Sequence, residues 1–177
     1  MKLIALSGSN SSGSINTTLL RAVATLTEVD VEIISIRDFP APFFSIDEET
    51  ENGIPQTMQD LYSRLLAADG VIISSPEYNG MMPGGFKNAI DWISRITGRG
   101  FFKKTVLLLS TSPGGRGGMG NLANMAKVMP FWGAEVFDSH SLPRFNDAFT
   151  DGVLVDAEVR ALLTEKVAAF TVHLSAT

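Results

Sequence analysis

The chain has 177 residues, of which 45% are hydrophobic, enough to bury a full core within one domain spanning residues 1–177. Fourteen lysines and arginines against 19 aspartates and glutamates leave a net charge of −5 without a basic cluster, which speaks against a nucleic-acid partner. There is no cysteine, so thiol catalysis and disulfides are excluded, and no apolar run approaches the ~20 residues of a membrane span. The N-terminus lacks a basic region and begins on a strand, so neither a signal peptide nor membrane attachment is expected, and the expected location is cytoplasmic.

The first apolar run, Leu3 to Leu6, suits a buried strand and gives way to the small polar stretch Ser7-Gly8-Ser9-Asn10-Ser11-Ser12-Gly13-Ser14. Helical spacing resumes at Leu19, Leu20, Val23 and Leu26, with Asn16 as the expected N-cap. Strand, small loop and helix N-terminus together form a cradle for a phosphate. Gly8 and Gly13 have the spacing of a Walker A loop, but Ser14 and Ile15 stand where Lys and Ser/Thr must, so an NTPase is disfavoured. The Rossmann fingerprint also fails, because Asn10 occupies the place of its second glycine. What fits is one phosphate monoester held by amides and hydroxyls, as in FMN; the bland alternative is a Ser/Gly-rich turn that binds nothing.

Val29 to Ile33 alternates apolar and acidic residues, as an edge strand with one wetter face would. Arg37 to Ile54 carries Phe39, Phe43 and Phe44, prolines and the acidic run 47–51; it reads as a surface loop pinned by its phenylalanines, or as a flap or subunit contact. Pro55 opens a helix with Met58, Leu61, Leu65 and Leu66 on one side, ended by Asp69-Gly70. Val71 to Ser75 and Thr105 to Ser110 are short, continuously apolar strands of the doubly buried parallel type. A weaker fifth strand lies near Ala134 to Phe137, and a last helix around Asp156 to Leu174 places Val159, Leu162, Leu163, Val167 and Phe170 on one stripe. This alternation predicts an α/β fold with a five-stranded parallel sheet. The wetter second strand at an edge favours the order 2-1-3-4-5, a flavodoxin-like three-layer sandwich, in which the loops after strands one and three face one ligand.

The loop after the third strand, Ser75-Pro76-Glu77-Tyr78-Asn79-Gly80-Met81-Met82-Pro83-Gly84-Gly85, leads into a helix at about Phe86. Its amides at Glu77, Tyr78 and Asn79 could grip the edge of a flavin ring while Tyr78 or a methionine covers a face. Gly8-Ser9, then Gly13-Ser14-Ile15-Asn16, then Ser75-Pro76-Glu77-Tyr78-Asn79-Gly80, then Pro83-Gly84-Gly85-Phe86-Lys87-Asn88-Ala89-Ile90-Asp91-Trp92 closely resemble the NADPH-dependent FMN reductase family. That family comprises flavin, quinone, azo-dye and chromate reductases on a flavodoxin-like fold, and the resemblance runs from the first strand to about Gly118. It implies that Ser9, Ser14, Ile15 and Asn16 bind the phosphate and ribityl chain of FMN. It further implies that Glu77, Tyr78, Asn79 and Gly80 contact the isoalloxazine, and that Ser112 closes the other side. Ser11, Pro76 and Gly114 complete the cofactor-binding set. The family commonly has an arginine where this chain has Ser11, a departure expected to weaken binding of FMN, NADPH or both.

In the helix Phe86–Ile96, Phe86, Ala89, Ile90 and Ile93 share one stripe and Lys87, Asn88, Asp91 and Arg95 the other. Trp92 falls between them, where a second subunit could cover it, and the resemblance also places a homodimer or homotetramer contact on this helix. Gly115-Arg116-Gly117-Gly118-Met119-Gly120 spells a dinucleotide fingerprint, with Asp138 at the distance of a ribose contact, but it follows the fourth strand, away from the switch point. The preferred reading is that these glycines let the chain pass close to a flavin. His140 and His173 have no metal-ligand spacing, and no Ser/His/Asp set argues for a hydrolase.

Two function classes fit. The first is an enzyme in which NAD(P)H reduces bound FMN and a small acceptor such as a quinone or free flavin collects the electrons, with the flavin carrying the chemistry and no protein acid or base required. The second is a flavodoxin-like electron carrier; with Glu77 the sole acid in the predicted ring loops, hydride chemistry is favoured.

Overall fold

A computed structural model describes residues 1–176. Strands β1 (Lys2–Ser7), β2 (Asp30–Ser35), β3 (Gly70–Ser74), β4 (Thr105–Thr111) and β5 (Glu135–Leu142) pair in parallel in the order β2-β1-β3-β4-β5. The expected sheet order and the edge position of the second strand are both found. Helices α1 (Ile15–Ala24) and α7 (Ala157–Ser175) cover one face. The other face carries α3 (Gln56–Ala67), α4 (Gly84–Thr97) and α5 (Met119–Val128). Three short elements, α2 (Ile46–Asn52), α6 (Phe145–Ala148) and the hairpin β6 (Phe149–Thr150) with β7 (Val153–Leu154), complete the chain.

The period of two along each central strand builds the two cores. Ile4, Val71 and Val106 lie in register, with Leu6, Ile73 and Leu108 two residues on, and all six side chains point at α3, α4 and α5. The intervening Ala5, Ile72 and Leu107 point at α1 and α7. Because every connection is a crossover helix, the C-terminal ends of β1, β3 and β4 lie side by side, with their loops at one edge.

Some boundaries and faces differ from expectation. The fifth strand runs to Leu142 rather than fading at Phe137, since an edge strand tolerates the polar run Asp138 to Ser141; a register shift opposite Val106 and Leu107 accommodates Phe137 as an extra residue. On α3 Met58, Leu61 and Leu65 are buried as expected, and the fourth buried residue is Tyr62, whose hydroxyl reaches the Phe101 carbonyl, rather than Leu66, which is 43% exposed. Leu162 of α7 is likewise at the surface.

Trp92 needs no second subunit to cover it. It is fully buried beneath this chain's own residues 42–44: its indole Nε1 donates to the Pro42 carbonyl (2.8 Å) and Phe44 meets it edge-on at 5.1 Å. Asn88 accepts from the Phe44 amide and donates to Pro42, while Arg95 pairs with Glu49 of α2. The segment Arg37 to Ile54 is therefore pinned to α4 by Phe39 and Phe44, leaving Phe43 exposed.

Candidate functional site

The loop after β1 leaves the sheet with the Gly8 amide donating to the Ser74 carbonyl (2.9 Å), which ties it to β3. Ser14, not Asn16, is the N-cap of α1, its hydroxyl accepting from the Thr17 amide. Asn16 instead sits in the first turn, 1% exposed, with its side-chain oxygen and one of the two Nδ2 hydrogens engaged. Its Oδ1 accepts from Ser74 Oγ (2.8 Å) and the Thr111 amide (3.1 Å), and its Nδ2 donates to the Thr111 carbonyl (3.1 Å). One amide thus knots the ends of β3 and β4 to α1. Among the described residues the backbone N–H groups of Ser12, Gly13, Ser14, Ile15 and Asn16 have no protein acceptor, as expected of a loop entering a helix. The Ser9 hydroxyl, 2% exposed, accepts from the Ser11 amide and keeps its own proton available.

The loop after β3 is rigid by contrast. Asn79 and Gly80 both have positive φ (53° and 79°) and form a tight two-residue turn, closed by mutual amide–carbonyl bonds between Tyr78 and Met81. The Tyr78 amide is therefore taken, and only those of Glu77 and Asn79 remain of the three expected to face a ring. The N-terminal part of α5 clamps this loop. Asn121 Nδ2 donates to the Pro76 carbonyl (2.9 Å) and Ser75 Oγ, and Asn124 Nδ2 donates to the Gly80 carbonyl.

Glu77 points back at the same helix: its carboxylate accepts from the Asn121 amide at 2.8 Å. The glycine loop after β4 makes this possible. Gly118 has φ of 78° and a Cβ there would stand 2.1 Å from Ser110 Oγ, while a Cβ at Gly120 would meet the Glu77 carboxylate at 2.8 Å. The helix start that a dinucleotide fingerprint would offer to a pyrophosphate is thus occupied by the chain's own carboxylate. Asp138, the expected ribose partner of that reading, is paired with Lys166 of α7 at 2.6 Å. The Rossmann alternative falls on both counts.

Between these loops lies a cleft of about 300 Å³. Of the residues read from the sequence, Ser9, Ser11, Ser14, Ile15, Asn16, Pro76, Glu77, Tyr78 and Ser112 line it. Asn79 and Gly80 stand beyond the lip at the turn's tip, and Gly114 lies past Pro113 with its carbonyl accepting from the Arg144 amide. Gly13 of the predicted cradle also forms the wall, as do Thr111 and Pro113, which sequence reasoning missed. Thr111 was legible only as the end of an apolar strand. No lysine or arginine lines the cleft, and Glu77 is its one carboxylate. The chemistry of the donor set suits FMN: free amides and hydroxyls at one end for a phosphate, and Tyr78, 47% exposed, with the irregular backbone of 76–78 at the other for a flat ring.

Comparison with known proteins agrees. A family model described as NADPH-dependent FMN reductase matches residues 1–148. A quinone reductase of Escherichia coli K12 is 32% identical over 139 residues, 78% of this chain and 74% of the relative. An NAD(P)H-dependent FMN reductase of Pseudomonas aeruginosa is 28% identical, covering 96% of this chain and 92% of its own length. Among solved structures, the flavoenzyme FerB, an NAD(P)H:acceptor oxidoreductase from Paracoccus denitrificans, superposes with a TM-score of 0.80 at 24% identity, covering 98% of this chain and 97% of that one. That likeness speaks to the fold. By the match over residues 1–148, the chain belongs to the NADPH-dependent FMN reductase family.

Proposed function

We propose that residues 1–177 act as one FMN-binding domain, holding the cofactor in the cleft between the loops after β1, β3 and β4. As a member of its family the protein is an NAD(P)H-dependent oxidoreductase using FMN. The observation that carries the placement is the run of amides from Ser12 to Asn16 without protein acceptors, opening into a cleft whose other wall is Pro76 to Tyr78. The phosphate is held by these amides and the hydroxyls of Ser9, Ser11 and Ser14. Asn16 contributes its backbone N–H, its side-chain oxygen and one Nδ2 hydrogen being engaged within the protein. Pro76, Glu77, Tyr78, Asn79 and Gly80 frame the ring, and Ser112 and Gly114 bound the far side.

When bound, FMN would supply two-electron chemistry between NADPH or NADH and a quinone, free flavin, azo compound or similar small acceptor. The chain's own contribution is position. The Asn79-Gly80 turn and the α5 clamp fix Tyr78 and the Glu77 amide against the cleft, and the Glu77 charge is turned away onto a helix start. No protein acid or base is required. A homodimer or homotetramer through the outer face of α4 is part of the proposal. Its support is a groove of about 380 Å³ there, flanked by Phe131, which is 81% exposed. The absence of cysteine accords with a cytoplasmic location.

The test is reconstitution with FMN followed by anaerobic addition of NADPH or NADH. The protein is expected to turn yellow and to bleach with either or both nicotinamides, then to recolour when a quinone is added. Failure to take up FMN overturns the placement; a yellow protein that neither nicotinamide bleaches is the electron carrier instead.

A further inference from the structure

On the far side of the phosphate-facing loop, between α1 and the end of β2, lies a second, polar cleft of about 130 Å³. Ser11 lies on both clefts and so forms the wall between them. Two cations converge on it: Arg21 in the last turn of α1, and Arg37 in the 3₁₀ turn that follows β2. Neither guanidinium makes an ion pair or side-chain hydrogen bond among the described residues, a property they share with Arg99, Lys103, Arg116, Lys127 and Arg144; what sets them apart is that both line one cleft. The cleft's one carboxylate, Asp38, accepts from the Ser35 amide at 3.1 Å as part of a capping box. Thr17 and Ser35 donate their hydroxyls to Ser7 Oγ and the Ser9 carbonyl, but those of Ser11 and Ser12 have no partner to donate to. A helix C-terminus favours a base, which accounts for Arg21 alone. It does not account for Arg37 facing the same space.

We infer that this cleft is a phosphate subsite, in which Arg21 and Arg37 bind a phosphate monoester beside the loop that lacks any cation of its own. The volume admits a phosphate group and is too small for a nucleoside. Guanidinium groups suit the dianion because their donors match its oxygens pairwise, and hydroxyls at Ser11 and Ser12 complete the set. Within the FMN reading on which this rests, two phosphates of that class come near: the 5′-phosphate of FMN across Ser11, and the 2′-phosphate that distinguishes NADPH from NADH. Both arginines are exposed, so the attraction is screened and depends on salt.

The test compares the wild type with the double variant Arg21→Gln/Arg37→Gln and with Lys103→Gln/Lys127→Gln, which removes the same charge elsewhere. Affinities for FMN and riboflavin are read from quenching of flavin fluorescence, and KM values for NADPH and NADH from steady-state rates. If the subsite takes the FMN phosphate, the arginine double variant binds FMN about tenfold more weakly and riboflavin unchanged; if it takes the NADPH phosphate, KM for NADPH rises about tenfold and that for NADH stays. Either loss should shrink in about 0.5 M salt and be only partly recovered by Arg21→Lys/Arg37→Lys, which keeps the charge and loses the paired donors. A third arm needs no flavin: inorganic phosphate should raise the melting temperature of the wild type and not of the arginine variant. Equal behaviour of the two double variants in all three arms overturns the subsite. A wild type that takes up no FMN, yet is stabilised by phosphate through these arginines, overturns the cofactor placement and leaves the subsite standing.

Discussion

In the loop after β1 the amides from Ser12 to Asn16 donate to nothing among the described residues, whereas the loop after β3 has most of its polar groups bonded within the chain. There Tyr78 and Met81 satisfy each other, Asn121 and Asn124 hold the Pro76 and Gly80 carbonyls, and Glu77 caps α5. The first loop is thus built to bind through backbone donors and the second to present a fixed shape. On the proposed placement the difference suits them to different ends of one ligand: a charged group that needs donors, and a flat ring that needs a rigid surface. On that placement five unpaired amides and a helix dipole face the phosphate within a cleft that no lysine or arginine lines, and any guanidinium contribution comes from across Ser11.

The two loops share one joint, Asn16, so its removal should break the comparison altogether. Asn16→Ala deletes three buried hydrogen bonds and strands Ser74 Oγ and both backbone groups of Thr111. The expected loss is about 3 kcal/mol of stability in urea unfolding, with FMN and riboflavin binding both weakened because both loops shift. A loss under about 1 kcal/mol would mean that the knot is not what aligns them. Asn121→Ala should sharpen the comparison, since it releases only the second loop. About 1–2 kcal/mol is expected, held down because Asn121 Oδ1 already has no partner among the described residues. Its binding signature differs from that of the arginine variants: riboflavin and FMN should weaken together, because only the ring's surface loosens. Faster amide exchange at Tyr78 and Met81 is the local readout.

What the sequence made legible follows from range. The strand order, the switch point and the residues on the cleft wall could be read because each rests on local patterns: apolar runs, a small polar loop, and the motifs that carry the family resemblance. The misses are contacts across many residues. Ser14 and Asn16 are both good cap formers, and only Ser74 and Thr111, far along the chain, decide that Asn16 turns inward and Ser14 caps. Trp92 looked like an interface residue because Pro42 and Phe44, about fifty positions earlier, are not visible from the pattern of α4. The glycines after β4 spell a nucleotide motif, set aside in the sequence in favour of close passage by a flavin; the approach that Gly118 and Gly120 admit is that of Ser110 and Glu77.

The smallest effect asked of the comparison is whether the cleft depends on the edge strand beneath its far wall. Asp138 and His140 on β5 surround Lys166. Burial tends to push the Asp138 carboxyl up, but hydrogen bonds from Lys166 and the Ser139 amide outweigh it and hold it below its ordinary value. Burial first, and then the Lys166 charge, hold His140 below its ordinary value against the opposing pull of Asp138. The unfolded chain therefore takes up protons at both residues before the folded one does. Stability should fall as pH drops below about 6.5 through His140, and again below about 4 through Asp138. Because Asp138 is 41% exposed, its share should stay under about 1 kcal/mol. Urea unfolding at pH 7.5 and at pH 5.5 should show a smaller loss for His140→Gln than for the wild type. If the affinity for riboflavin, which has no phosphate to titrate, is unchanged over the same pH interval, the cleft is held by β1, β3 and β4 alone. If affinity falls in parallel, the contact of Gly117 with Ser141 and Leu142 carries the edge strand's loosening into the glycine loop and on to Glu77.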